Sequence, residues 1–147
     1  MPTAAKAVGA LSLAALAWVL SAQVPALFPD STRFGPWFAP VNAAIGAVCG
    51  WRLLGRGAGA GWFLGVSSGL SASVAMLVLA VLGHAAVQMV RLALRRRYDD
   101  PVEAFADTVR IAAEYGAALV APGFLGTLAA GAVAAGLLAE WSARSWR

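Results

Sequence analysis

Residues 57–90 read GAGAGWFLGVSSGLSASVAMLVLAVLGHAAVQMV, a stretch without a single Asp, Glu, Lys or Arg. A helix rises about 1.5 Å per residue, so about 20 residues cross the hydrocarbon core of a bilayer. The lipid interior offers a bare backbone no hydrogen-bonding partner, and an uncharged stretch there must therefore be helical. The stretch predicts a membrane-crossing helix that is longer than a bilayer needs, so that it tilts or projects into water before Arg91.

Composition extends this prediction to the whole chain. Of the 147 residues, 61% are hydrophobic and 12% are charged, which leaves too few charges to solvate the surface of a soluble domain. Disorder is excluded because it requires low hydrophobicity. Further uncharged runs cover 7–29, 34–51 and 115–139. We predict an all-α polytopic transmembrane bundle, one domain over 1–147, with three to four membrane helices at about 4–28, 38–54, 61–92 and 116–141. Residues 38–54 either span the bilayer or re-enter it.

Residues 101–114 predict an amphipathic helix at the membrane surface. Asp100 can accept the first free N–H groups, Pro101 suits the first helical position, and Glu103 can complete a capping box. Apolar and charged residues then lie on opposite faces at helical spacing. This interfacial helix leads into the last span, where Pro122 is expected to produce a kink.

Small residues recur at four-residue steps in two of the runs. In the long run they are Gly61, Gly65, Gly69 and Ser73, and in the second run Gly46 and Gly50. Such spacing lets helix backbones approach closely, which drives helix association in lipid. We expect these residues to form helix-packing faces, either within the chain or with another copy.

Most basic residues lie at the ends of uncharged runs, where lipid headgroups would meet them. Arg52 and Arg56 on one side of the membrane, and Arg95, Arg96 and Arg97 on the other, are therefore predicted to lie at rims that attract anionic headgroups or other anions. Nucleic acid is not expected as a partner, since no binding motif accompanies the charge. The positive-inside rule leaves the orientation open, because the two sides carry nearly equal numbers of basic residues.

Three residues are candidates for function. His84 and Gln88 lie one turn apart near the end of the long run, and an ionisable residue at membrane depth is a functional candidate. The alternative is a neutral His84 bonded to Gln88 or to a carbonyl. Cys49, the only cysteine, is either a reactive thiol influenced by Arg52 or a small buried hydrophobe. No catalytic set, metal motif or cofactor motif is evident, so we expect neither enzyme nor cofactor.

Several short stretches carry a family resemblance. They are MPTAAK at 1–6, FAPVNAAIG at 38–46, GWR at 50–52, LRRRYD at 94–99, PVEA at 101–104 and GLLAEW at 136–141. In these stretches the chain resembles the TrgA family, small alphaproteobacterial membrane proteins named for tellurite resistance. The resemblance implies a multi-pass protein of the bacterial inner membrane with a link to tellurium oxyanion tolerance. It implies no mechanism and no site residues.

Two functions follow as hypotheses. The first is a non-enzymatic resistance protein that changes the entry, exit or damage of the oxyanion at the membrane. The second is an accessory subunit that packs its glycine face and interfacial helix against a larger membrane complex. Membrane lipids are expected partners in both, and a homo-oligomer is a further alternative.

Overall fold

The computed structural model describes residues 3–28, 35–95 and 100–145, and its regular structure is helical. The helices are α1 (Thr3–Leu27), α2 (Phe38–Cys49), α3 (Gly55–Gly57), α4 (Trp62–Ala93), α5 (Pro101–Ala118) and α6 (Pro122–Ser145), with a π-helical turn at Gly50–Leu54 that joins α2 to α3. These described ranges contain no strand. The all-α prediction is confirmed.

Three of these helices, α1, α4 and α6, are long and apolar enough to cross a membrane. With 32 residues, α4 is about 48 Å long, whereas the hydrocarbon core of a bilayer measures about 30 Å. The chain is therefore a helical bundle of the membrane type. Residues 62–90 of the long uncharged run form one uninterrupted helix, as their composition predicts.

The segment that the sequence leaves as spanning or re-entrant lies antiparallel to α1. Gly46 of α2 packs against the backbone of Leu13, and further along Gly55 packs against Lys6. Helical elements of 12, five and three residues follow one another without a reversal of direction. This course favours the spanning alternative, and the helical path extends beyond the predicted end at residue 54.

The antiparallel arrangement gives the bundle two ends. At one end, here called the Lys6 end, α1 and α4 begin and α3 and α6 end. There the side chain of Glu140, near the end of α6, accepts hydrogen bonds from Gly59 and Gly61 just before α4. At the opposite end, called the Arg91 end, α1 and α4 finish and α6 begins. There Gln23 of α1 donates to the hydroxyl of Thr127 of α6 at 3.0 Å, and α5 connects α4 to α6.

The predicted small-residue faces pack within the chain. Gly65 and Gly69 of α4 face α6, where a Cβ atom on Gly136 would lie 2.9 Å from the carbonyl carbon of Gly65. Gly46 of α2 and Gly50 of the π-helical turn face α1 in the same backbone-to-backbone manner. The sequence left open which helices these faces pack against. In the structure, the face of α4 packs against α6, and the face of α2 packs against α1. These contacts hold the spans of a single chain together.

One residue of the predicted stripe lies outside it. Gly61 precedes α4 with a φ of 125°, a conformation that side chains rarely adopt, and a Cβ atom there would meet nothing within 4 Å. The prediction that Gly61 packs against another helix is wrong. Gly61 lies in a turn, where its positive φ requires the backbone freedom of glycine. At the other end of the stripe Ser73 is buried, and its hydroxyl has no hydrogen-bond partner within the described ranges.

The region before the last span also differs from the prediction. Asp100 caps α5 as expected, accepting from the backbone N–H of Val102 at 3.0 Å. α5 continues past residue 114 to Ala118, and α6 occupies Pro122–Ser145 in place of 116–141. The predicted kink at Pro122 is wrong, because a proline at the start of a helix removes no intrahelical hydrogen bond.

Candidate functional site

A cavity of about 480 Å³ lies among α1, α2 and α4 toward the Arg91 end of the bundle. Its volume falls within the range of about 300–1,000 Å³ that is usual for small-molecule pockets. Most of its wall is apolar. The polar side chains on that wall are Ser21, Asn42, His84, Gln88, Arg91 and Tyr115.

A hydrogen-bond chain with a defined direction runs along the cavity wall. The hydroxyl of Ser21 donates to the carbonyl of Ala17 at 2.7 Å, so its oxygen accepts from the Nδ2 amide of Asn42 at 2.9 Å. The Oδ1 atom of Asn42 lies 2.9 Å from Nε2 of His84. An amide oxygen only accepts, and Nε2 of His84 therefore carries the proton. The chain joins α1, α2 and α4 through side chains alone.

This chain defines what His84 offers to the cavity. With the proton on Nε2, the second nitrogen of a neutral imidazole, Nδ1, is an acceptor. The ring packs against Phe38 with centroids 4.7 Å apart. The expected bond to Gln88 or to a carbonyl is replaced by the bond to Asn42. Gln88 lines the same cavity, so the structure does bring the two candidate residues to one site.

The cavity wall becomes more polar toward the Arg91 end. His84, Gln88 and Arg91 follow one another along α4 at steps of about one turn. Tyr115 of α5 lines the same end, and its ring meets Phe28 edge-on at 5.8 Å. Burial raises the pKa of the Tyr115 phenol, against a smaller lowering by Arg91, so the phenol keeps its proton at neutral pH. This end of the cavity therefore presents hydrogen-bond donors and one cation.

Replacement of Asn42 by Leu is expected to destabilise the bundle by about 1–2 kcal/mol. The change breaks two interhelical hydrogen bonds and leaves Nε2–H of His84 without its acceptor. The free energy of unfolding, measured by titration of mixed micelles with a denaturing detergent, reports the loss. Ser12→Ala is the matched control, because the Ser12 hydroxyl bonds only to the Val8 carbonyl of its own helix. Equal stability of the two variants would contradict the role of the chain.

A second polar centre lies at the Lys6 end, at a residue that the sequence did not single out. Glu140 is completely buried. Its carboxylate accepts from the backbone N–H groups of Gly59 at 2.6 Å and Gly61 at 3.0 Å, and from Nε of Arg144 at 2.8 Å. Arg144 also lies over the ring of Trp62, 4.9 Å from its centroid. Glu140 thus fixes the turn before α4 to the end of α6.

Glu140 escaped notice because it follows directly after the uncharged run 115–139, where a carboxylate usually meets water. Its spacing of four residues from Arg144 was a weak signal, since such pairs are common on exposed helix faces. The glycines at 59 and 61 gave no indication of their partner. The contact joins residues 81 positions apart.

The arginines of the predicted rims lie at both ends of the bundle. Arg52 and Arg56 are exposed at the Lys6 end, whereas Arg95 is exposed beyond α4 at the Arg91 end. Arg96 and Arg97 lie outside the described residues. Among the described residues, Arg52 and Arg56 therefore share no anion site with Arg95. Cys49 is 3% exposed, in contrast to the exposed Arg52, and this burial favours the structural alternative for its thiol.

In the three described ranges, no cluster of three or more His, Cys, Asp or Glu side chains could hold a metal ion. Comparisons of the chain with protein-family models, with curated proteins and with solved structures gave no match. The candidate site is consequently defined by its geometry, which is that of a largely apolar cavity with a fixed hydrogen-bond chain and a cationic end.

Proposed function

We propose that this chain is a non-enzymatic protein of the bacterial inner membrane that binds a membrane-soluble molecule and thereby contributes to tolerance of tellurium oxyanions. The observation that carries the binding function is the cavity of about 480 Å³ with its ordered Ser21–Asn42–His84 chain. The resemblance to the TrgA family is the basis for the oxyanion and for the inner membrane.

Binding is favoured over conduction of the oxyanion through a single bundle. Where α4 meets α6, and where α1 meets α2, the backbones are in contact and an added methyl group would overlap them. A hydrated oxyanion does not fit between helices packed so closely, and the cost of a charge in hydrocarbon opposes it further. Within the part of the chain that the structure describes, the cavity beside His84 offers room for a ligand.

The accessory-subunit alternative has one observation in its favour. Val102 and Phe105 on the apolar face of α5 are each 71% exposed. An interfacial helix places such a face in the lipid or against a partner. Co-purification of an unrelated membrane complex in mild detergent would favour this function, whereas a pure homo-oligomer or monomer would weigh against it.

A deletion strain is expected to tolerate less tellurite than its parent. A plasmid copy with Gly83→Leu should fail to restore tolerance, because Gly83 lines the cavity and is in a space that a leucine would fill. Gly126→Leu is the matched control: it is also a glycine of a long helix with nothing within 4 Å of an added Cβ, and it lies away from the cavity. The control should restore tolerance fully.

Restoration by both variants would contradict a role for the cavity. Cellular tellurium content at the same sublethal dose then separates two modes of action. A higher content in the deletion strain would place the protein in the path of the oxyanion, and an equal content would assign it to protection of the membrane or of a partner.

A further inference from the structure

We infer that the cavity binds the acyl chain of an anionic amphiphile, whose acidic headgroup pairs with Arg91. The inference rests on the proposed function, in that the cavity must hold a ligand, and it adds the chemical class of that ligand. Its basis is the polarity gradient of the cavity wall, which changes from hydrocarbon to cation along the direction of α4.

The inner part of the cavity suits a hydrocarbon chain. Ala17, Leu20 and Met76 line it, and each of these side chains is itself buried in the core. Methionine adapts to flexible ligands because its side chain is unbranched. Along α4 the distance from Met76 to Arg91 corresponds to about 22 Å at 1.5 Å per residue. A molecule that occupies the whole length must be elongated and apolar at one end.

The other end suits an anion. Arg91 is the first charged residue after the uncharged run 57–90, a position in which basic side chains typically meet headgroups. Within the described ranges no carboxylate pairs with Arg91. The carboxylates of neighbouring α5 that form ion pairs, Asp107 and Glu114, do so with Arg110. The guanidinium of Arg91 is thus available for a phosphate or a carboxylate, which it can hold by two parallel hydrogen bonds.

Neutral donors lie beside this cation. The Gln88 amide and the protonated Tyr115 phenol line the same end of the cavity, and both can donate to headgroup or ester oxygens. The Nε2 proton of His84 is already used by Asn42. These neutral donors would also serve the ring carbonyls of a quinone, and it is the charge of Arg91 that favours an anionic headgroup.

The binding test uses the purified full-length protein and native mass spectrometry with single added amphiphiles. Palmitate and phosphatidylglycerol are the anionic probes, palmityl alcohol and diacylglycerol are the neutral probes, and ubiquinone represents the quinones. We expect one anionic amphiphile per chain, retained in preference to its neutral counterpart. Preference for phosphatidylglycerol would identify a bilayer lipid as the source, and preference for palmitate would identify a free fatty acid.

Two variants with a control make the test specific. Arg91→Gln should weaken binding of the anionic probes by about 10- to 100-fold, the effect of one charge-assisted contact, and leave the neutral probes unchanged. Arg52→Gln, which removes an exposed arginine at the opposite end, should bind like the parent. Gly83→Leu should weaken every probe. Circular dichroism confirms that each variant is folded.

Equal retention of palmitate and palmityl alcohol, unchanged binding by Arg91→Gln, or preference for ubiquinone would each overturn the inference. A failure of this inference can be distinguished from a failure of the proposed function. If Gly83→Leu loses the amphiphile and still restores tellurite tolerance, the proposed function fails and the site stands. If Gly83→Leu abolishes tolerance while no anionic amphiphile binds the parent, the ligand class is wrong and the function stands.

Discussion

Replacement of Glu140 by Leu is expected to destabilise the bundle by about 3 kcal/mol. The substitution removes the carboxylate that accepts from two backbone N–H groups and from Arg144. The N–H groups of Gly59 and Gly61 lose their acceptor, and the turn before α4 is no longer attached to α6. Glu140→Gln, which retains one oxygen acceptor, should lose about half as much.

The control for this prediction is Glu114→Gln on α5. Glu114 is largely exposed, and its carboxylate lies 3.8 Å from Arg110, so the change should cost less than about 1 kcal/mol. Free energies of unfolding in mixed micelles give the comparison. If Glu140→Leu were no more destabilising than Glu114→Gln, the carboxylate would be solvated and the connection between the turn and α6 would be incorrect.

The second large effect is expected at Gly136. A methyl group there would lie 2.9 Å from the carbonyl carbon of Gly65 and 3.0 Å from Cα of Val66. Both are backbone atoms, which cannot move aside without separating α4 from α6. Gly136→Ala should therefore destabilise the bundle by about 1–3 kcal/mol, even though alanine is the better helix former.

Gly126→Ala in the same helix is the matched control for Gly136→Ala. Nothing lies within 4 Å of a Cβ atom at Gly126, so the substitution should leave stability unchanged or raise it by up to about 1 kcal/mol. The difference between the two alanine variants measures the close approach of the two helices. Equal stabilities would show that α4 and α6 are further apart than the structure places them.

These positions illustrate how far the sequence predicts the fold. Uncharged runs of sufficient length predicted the three long helices, and the Asp100–Pro101 pair predicted where α5 begins. The end of α5 was missed because the chain stays apolar from residue 115 onward. No change of composition marks the short break before Pro122, so α5 and α6 merge in the sequence pattern.

The site was predictable only in part. His84 and Gln88 stood out because polar side chains are rare in apolar helices, and both line the cavity. The partner of His84 did not stand out, because Asn42 lies 42 positions away in the chain. Glu140 lies at the margin of an apolar run, where exposure is the usual outcome. In both cases the decisive partner comes from another helix.

The sequence by itself determined that this protein is a bundle of membrane-type helices, because in lipid the backbone must satisfy its own hydrogen bonds and length alone sets the spans. The tertiary structure decided which glycine faces meet, which polar side chains pair, and where a cavity with one cationic end remains. Those outcomes depend on contacts between helices distant in the chain, which local periodicity does not encode.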